Sequence, residues 1–480
     1  MYSAVSQSLT ILVLFLAGYI IINGALKDFN PIFNALLAFP FGLAMFAVSG
    51  LVVLIANIKY TINSVMAAFI IIWVIFMLIV KVSFNDVLKL FVSKFSLAVL
   101  VIAIIVSIFS VSGIIPLSLS NDSIYYYSLY PQTLVIDGGY MLSHDVFLTD
   151  VGQSVAVINT LPFMLGYHES FGIQTALLIS FFGVFIYFCY ERFEIDSSKY
   201  IKITILSCVL LLVITCTPFL VISEWVLANC YFMDYMFLVF ALSYYYMKHK
   251  IKELLYIIAL FILFLSMARM EGLIMLGVLL LSISVEDIKN SDLVKYYIFP
   301  SLIFVIPYYV ILYFKIGVNP LYSFLDIKKA LLQTGFMIVV GFYFAFIRGR
   351  YFMFFQRDRF AYSLMGALAS INLLLLVYNH EKYLNNMVSF FTNIIMGNGW
   401  GYFGFFIILM AILLPYKKID NANKLFCVSY VLVCMAVLFA RDGGLRIGTG
   451  DSGNRVLLQI IPFVLYTLFE EIAGEFKHEK

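Results

Sequence analysis

Residues 62–80 read INSVMAAFIIIWVIFMLIV, and no charged side chain interrupts them. As a helix rising about 1.5 Å per residue, this stretch covers roughly the 30 Å hydrocarbon core of a bilayer. It is read as a membrane span, and the same pattern recurs on both sides of it. Further span cores are expected near 9–24, 32–57, 95–115, 171–190, 201–222, 226–247, 253–268, 270–285, 296–316, 329–347, 360–378, 400–415, 425–440 and 455–470. The eighth and ninth are short enough to be a broken pair. The whole chain of 480 residues is 63% hydrophobic and 12% charged, against roughly 25% charged in a soluble domain. A soluble globular enzyme, a disordered chain and a disulfide scaffold are excluded. A membrane β-barrel would instead show short alternating segments. The expected fold class is all-α, a polytopic transmembrane helical protein of about 15 spans.

The net charge of +3 is too small to indicate a nucleic-acid partner. The partner read from composition is the lipid bilayer. Cys189, Cys208, Cys216, Cys230, Cys427 and Cys434 all lie in or beside apolar runs and read as small buried hydrophobes. No CxxC spacing occurs, so redox chemistry is not expected. Met1–Thr10 lacks a basic region, so no cleavable signal peptide is expected.

Lysine and arginine placement gives the orientation. Basic clusters at Lys81/Lys89/Lys94, Arg192/Lys199/Lys202, Lys248/Lys250/Lys252, Arg348/Arg350/Arg357/Arg359 and Lys417/Lys418/Lys424 fall on one side of the expected spans. That side is read as cytoplasmic, with the C-terminus inside and, for an odd span count, the N-terminus outside. Lys59 is the one residue near the start that opposes this. Ionisable residues on the outer side gather in 116–170, Arg269–Glu271, 379–399 and 441–455. The chain therefore divides into N-terminal spans (1–115), a large external loop (116–170) and the remaining spans (171–480), with further external loops at 379–399 and 441–455.

The loop 116–170 is rich in Tyr, Leu, Ile and Val, so short amphipathic helices at the membrane surface are expected. Ser120 or Asn121 can cap a helix beginning near Asp122. Asp122 itself admits two readings: a first-turn acid stabilised by the helix dipole, or a carboxylate placed for general-base work. Tyr125, Tyr126 and Tyr127 suit interfacial anchoring. Asp137, His144, Asp145 and Asp150 are further polar candidates. No firm metal site is read; Asp137, His144 and Asp145 are the weak candidates for a divalent ion. Neighbouring side chains such as His144 and Asp145 need distant partners to converge. Glu224, Trp225 and Asp234 are weak additional candidates at the outer edge of the seventh span. Five glycines lie between Gly443 and Gly453, but no P-loop Lys-Ser/Thr follows them, so no nucleotide site is read there.

Asn121-Asp122-Ser123-Ile124-Tyr125-Tyr126-Tyr127 resembles the first external loop of GT-C-type membrane glycosyltransferases. In many bacterial members an acid is followed by a small residue, two variable residues, Tyr and often His. Asp122 matches the acid and Tyr126 the tyrosine; Tyr127 stands where His is frequent, and Asn121 stands where a second acid often pairs with the first. Ile158-Asn159-Thr160-Leu161-Pro162 resembles the Pro-containing end of that loop. Met267-Ala268-Arg269-Met270-Glu271-Gly272-Leu273 resembles the Thr-Arg/Lys-x-Glu-Gly-Leu break between two spans. The run from Gly450 through Arg455 to Pro462 resembles the final external loop entering the last span.

The resemblance implies a GT-C-like fold in a bacterial cytoplasmic membrane, with its site on the outer face. It implies inverting transfer of a sugar from a polyprenyl-phosphate donor to a lipid-linked glycan, lipid or protein acceptor. Within it, Asp122 is the base. Arg269, Arg441, Arg446 and Arg455 are the candidates for the phosphate leaving group, because guanidinium matches phosphate oxygens two-pronged and stays charged. Tyr126, Tyr127, Glu271, His380 and Asp451 complete the substrate-binding candidates. Trp400 could stack on an acceptor sugar. Blander readings stand beside these: a structural ion pair for Arg269 and Glu271, and interfacial snorkelling for Arg455. An O-antigen or capsule polymerase would share the membrane, the face and the arginines. A flippase or transporter would need ionisable residues near mid-span.

Overall fold

The computed structural model describes residues 2–27, 29–83, 94–111, 124–139, 152–166, 171–192, 227–269, 272–316, 327–354, 357–395, 421–439 and 455–478, with isolated positions between 85 and 87, between 203 and 211, and at 404. Most of these residues are helical, and no strand occurs among them. Eight helices are long and apolar enough to cross a membrane, and Val99–Val111, Glu253–Ser266 and Gly272–Ile283 are shorter apolar helices. The chain is an all-α, membrane-embedded protein. The expected spans at 201–222 and 400–415 lie largely outside the described residues.

The chain divides into two compact units. One comprises Met1–Val184, Glu224–Leu276 and Ser291–Phe342; the other comprises Phe185–Ser223, Gly277–Asn290 and Tyr343–Lys480.

The first unit is built around α2 (Pro31–Ile55). Asn30 caps it, its Oδ1 accepting from the Ile32 amide at 2.9 Å, and Pro31 occupies the first turn where no amide is needed. α1 (Tyr2–Ala25) crosses α2 at glycines: a Cβ on Gly18 would run into the Ala38 carbonyl, and one on Gly42 into that of Leu14. Such close backbone approach is how helices associate where lipid removes the hydrophobic drive. α3 (Ile62–Val80) begins with a capping box formed by Thr61 and Ser64. The two helices differ in role. α2 is buried along almost its whole length, whereas α3 exposes Ile70, Ile71, Val74, Ile75 and Leu78, a lipid-facing stripe.

α4 (Lys94–Val111) is followed by a π turn, Tyr125–Leu129, leading into α5 (Tyr130–Asp137). α6 (Gln153–Met164) precedes α7 (Phe171–Arg192). α8 (Ala228–His249) is buried over most of its length; Phe237 meets Phe181 of α7 edge-on at 5.7 Å. α9 (Glu253–Ser266) and α10 (Gly272–Ile283) are separate helices, the first interrupted at Met267–Arg269, within the stretch where the sequence implied a break. The external loop was expected to lie on the membrane surface, but α6 does not: Gln153 through Pro162 are all buried. The side chains of Gln153, Ser154 and Thr160 are satisfied inside the unit, which favours the burial. Tyr60 Oη pairs with Thr160 Oγ1 at 2.9 Å, and Ser154 Oγ donates to the Phe264 carbonyl at 2.7 Å.

In the second unit, asparagines join α11 (Arg357–Tyr378), α12 (His380–Ile395) and α13 (Ala422–Phe439). Asn372 Nδ2 donates to the Leu432 carbonyl at 3.0 Å, Asn386 Nδ2 donates to that of Leu438 at 3.1 Å, and Tyr383 Oη donates to Asn372 Oδ1. The external loop expected at 379–399 thus contains an ordered amphipathic helix. It buries Tyr383, Asn386, Met387, Phe390 and Asn393 and exposes Leu384, Val388, Phe391 and Ile395. Buried Arg348 donates to the carbonyls of Ser284, Glu286 and Ile288 at 2.7–2.8 Å, tying the 284–290 turn in place. The last helix, α14 (Ile461–His478), is reached through a 3₁₀ turn, Leu457–Ile460.

Candidate functional site

Two of the sequence stretches singled out above, more than a hundred residues apart, pack on one another in the first unit. The Ser154 amide donates to the Met267 carbonyl at 2.9 Å. A Cβ on Gly152 would overlap the Ala268 carbonyl, so only glycine lets the start of α6 lie this close to the α9–α10 break. The external segment is fixed at two more places. Tyr130 Oη donates to Gln153 Oε1 at 2.7 Å, joining α5 to α6. The Tyr60 amide donates to the Gly138 carbonyl at 2.6 Å, pinning the end of α5 to the α2–α3 connection. Gly138 ends α5 with φ +74°, a backbone that glycine adopts freely. Burial pushes the Tyr60 hydroxyl pKa up, despite its bond to Thr160, so this anchor stays a neutral phenol.

Arg269 stands in the break and donates from Nη1 to Asn229 Oδ1 in the first turn of α8. Beside that contact, Gly272 packs on the Phe232 ring. The Asn229 amide oxygen thus helps to orient the guanidinium. Tyr127 is buried in the π turn that precedes α5. The break, α6, the π turn and the first two turns of α8 therefore form one polar neighbourhood within an otherwise apolar unit.

Of the sequence-predicted residues, Tyr127 and Arg269 belong to this neighbourhood. The backbone of Tyr126 lies in the π turn, a geometry frequent at functional positions. Asp137 ends α5, half-buried. Asp122, His144, Asp145, Glu271, Arg441, Arg446 and Asp451 lie outside the described residues, as does Trp400. The helix expected to begin near Asp122 has Ile124 as its first described residue. In the second unit, His380 is exposed at the start of α12, and Arg455, the first described residue of the last helical run, is 5% exposed. No group of three His, Cys, Asp or Glu side chains converges among the described residues.

Sequence reading passed over Asn229, Gln153 and Ser154. Neutral polar residues in apolar helices give no charge signal; only the fold shows which of them meet Arg269 and the break. No family model, curated protein or solved structure matches this chain.

Proposed function

We propose that the chain is a multi-pass glycosyltransferase of GT-C type. It moves a sugar, with inversion, from a polyprenyl-phosphate donor to a glycan, lipid or protein acceptor on the outer face of a bacterial cytoplasmic membrane. One observation carries the reading beyond the resemblance itself: the external segment that follows the Asp122 stretch is packed, through Gly152 and Ser154, onto the helix break that holds Arg269. A base and a phosphate-binding cation must come from such separate stretches.

In this reading the Asp122 carboxylate takes the proton of the acceptor hydroxyl as its oxygen attacks the anomeric carbon. The new glycosidic C–O bond forms while the bond to phosphate breaks. The electron pair leaves on polyprenyl phosphate, where Arg269 stabilises the developing charge; Arg441, Arg446 and Arg455 are the alternative candidates for that role. The carrier reaches the site from within the bilayer. His380, Glu271 and Asp451 are further candidates for binding acceptor or donor, and Asp137, His144 and Asp145 are the residues that would hold a divalent ion.

The test is sugar transfer in isolated membranes, using radiolabelled polyprenyl-phosphate sugars. Asp122→Asn is expected to lower transfer by about 100-fold or more at unchanged expression. Full activity in that variant overturns the base assignment. Absence of transfer from every donor tried, with polymerisation or export observed instead, overturns the transferase reading.

A further inference from the structure

Asp234 stands in the second turn of α8 and is fully buried. Neither carboxyl oxygen has a hydrogen-bond partner, and no opposite charge among the described residues relieves its burial. One turn earlier on the same face, Tyr231 is also fully buried with an unpartnered hydroxyl. Other buried tyrosines of this unit contrast with it. Tyr60, Tyr130, Tyr235 and Tyr297 each bond through the hydroxyl, Tyr235 to the Pro40 carbonyl at 2.7 Å. Buried polar groups are nearly always satisfied. Two idle ones side by side, one of them an acid within an apolar helix, mark a place kept for something other than packing.

We propose that Asp234 and Tyr231 form a subsite for sugar hydroxyls, an assignment that rests on the transferase reading above. The chemistry selects the ligand. Two carboxyl oxygens accept hydrogen bonds, and a tyrosine hydroxyl donates or accepts, which together match adjacent hydroxyls of a pyranose ring. A phosphate would need a cation, and the pair supplies none. A divalent cation would need six or more oxygens, and the pair offers three. The subsite is separate from the Arg269 contact, since Asn229 and Asp234 are five residues apart and point to different sides of α8.

The experiment uses the full chain in lipid nanodiscs, titrated with free glucose, galactose, mannose and N-acetylglucosamine up to 100 mM while Tm is followed. At least one sugar is expected to raise Tm in a saturable way. Asp234→Asn and Tyr231→Phe are each expected to weaken that apparent affinity tenfold or more. Asp234→Leu, measured without sugar, is expected to raise Tm, because an unpaired buried carboxyl is removed; a purely structural role predicts a fall. Wild-type affinity in both Asp234→Asn and Tyr231→Phe overturns the subsite, and so does the absence of any sugar effect on the wild type. Transfer assays on the same samples separate the two readings. Sugar binding lost in Asp234→Asn, with no transfer by the wild type, overturns the transferase and leaves the subsite. Transfer by Asp234→Asn with unchanged KM for donor and acceptor overturns only the subsite.

Discussion

Arg269 owes its visibility in the sequence to scarcity. A guanidinium between two apolar runs stands out when only 12% of residues are charged. Its partner Asn229 does not, because an amide in a helix of mixed Tyr, Phe and Met carries no comparable signal. The pairing leads to a graded expectation. Arg269→Ala should lower transfer about 100- to 1,000-fold, the usual loss when a donor to a developing anion is removed. Arg269→Lys should recover little, since a point charge replaces a two-pronged fork. Asn229→Ala should cost less, mainly as a higher donor KM, because Asn229 only orients the guanidinium. Initial rates in membrane vesicles at several donor concentrations check this; equal losses in Arg269→Ala and Asn229→Ala would argue against the division of roles. Asp122 carries the larger sequence signal, but its geometry lies outside the described residues.

At the scale of elements, the break between α9 and α10 was legible, because Arg-Met-Glu-Gly cannot continue an apolar span. The burial of α6 was not. QSVAVINTLPFM mixes polar and apolar residues without a clean period, which reads as a surface helix. Its polar side chains find partners on the α2–α3 connection, α5 and α9 that are distant in sequence, and no local pattern encodes those meetings. α12 shows the opposite case: its two faces are plain in HEKYLNNMVSFFTNII, yet charge near its start argued for a loop. The contact of α6 with the break rests on Gly152. Gly152→Ala places a methyl group against a carbonyl, so the backbone must shift, at a cost of about 1–3 kcal/mol. Gly335→Ala is the control: its added Cβ meets nothing within 4 Å. It is expected to be neutral or to stabilise by up to about 1 kcal/mol. Thermal unfolding in detergent compares the two, and equal effects would contradict the tight seam.

For the whole molecule, composition alone was enough to predict helices in a bilayer, since 63% hydrophobic content in long blocks has no soluble solution. Orientation came from counting lysines and arginines by side. A reporter fused at the C-terminus should therefore read as cytoplasmic, and a cysteine-directed, membrane-impermeant label placed in 379–399 should react from outside. A reversed pattern would move every candidate residue to the wrong side for an outer-face enzyme. The glycine seam between α1 and α2 carries a consequence for biogenesis. Only residues 26–30 separate these helices, and their backbones touch with no room for an acyl chain between them. The pair can leave the insertion machinery already joined, as a hairpin on which later spans assemble. A bulky residue at Gly18 or Gly42 should then act early, reducing the amount of protein that reaches the membrane while leaving the turnover of each surviving molecule intact.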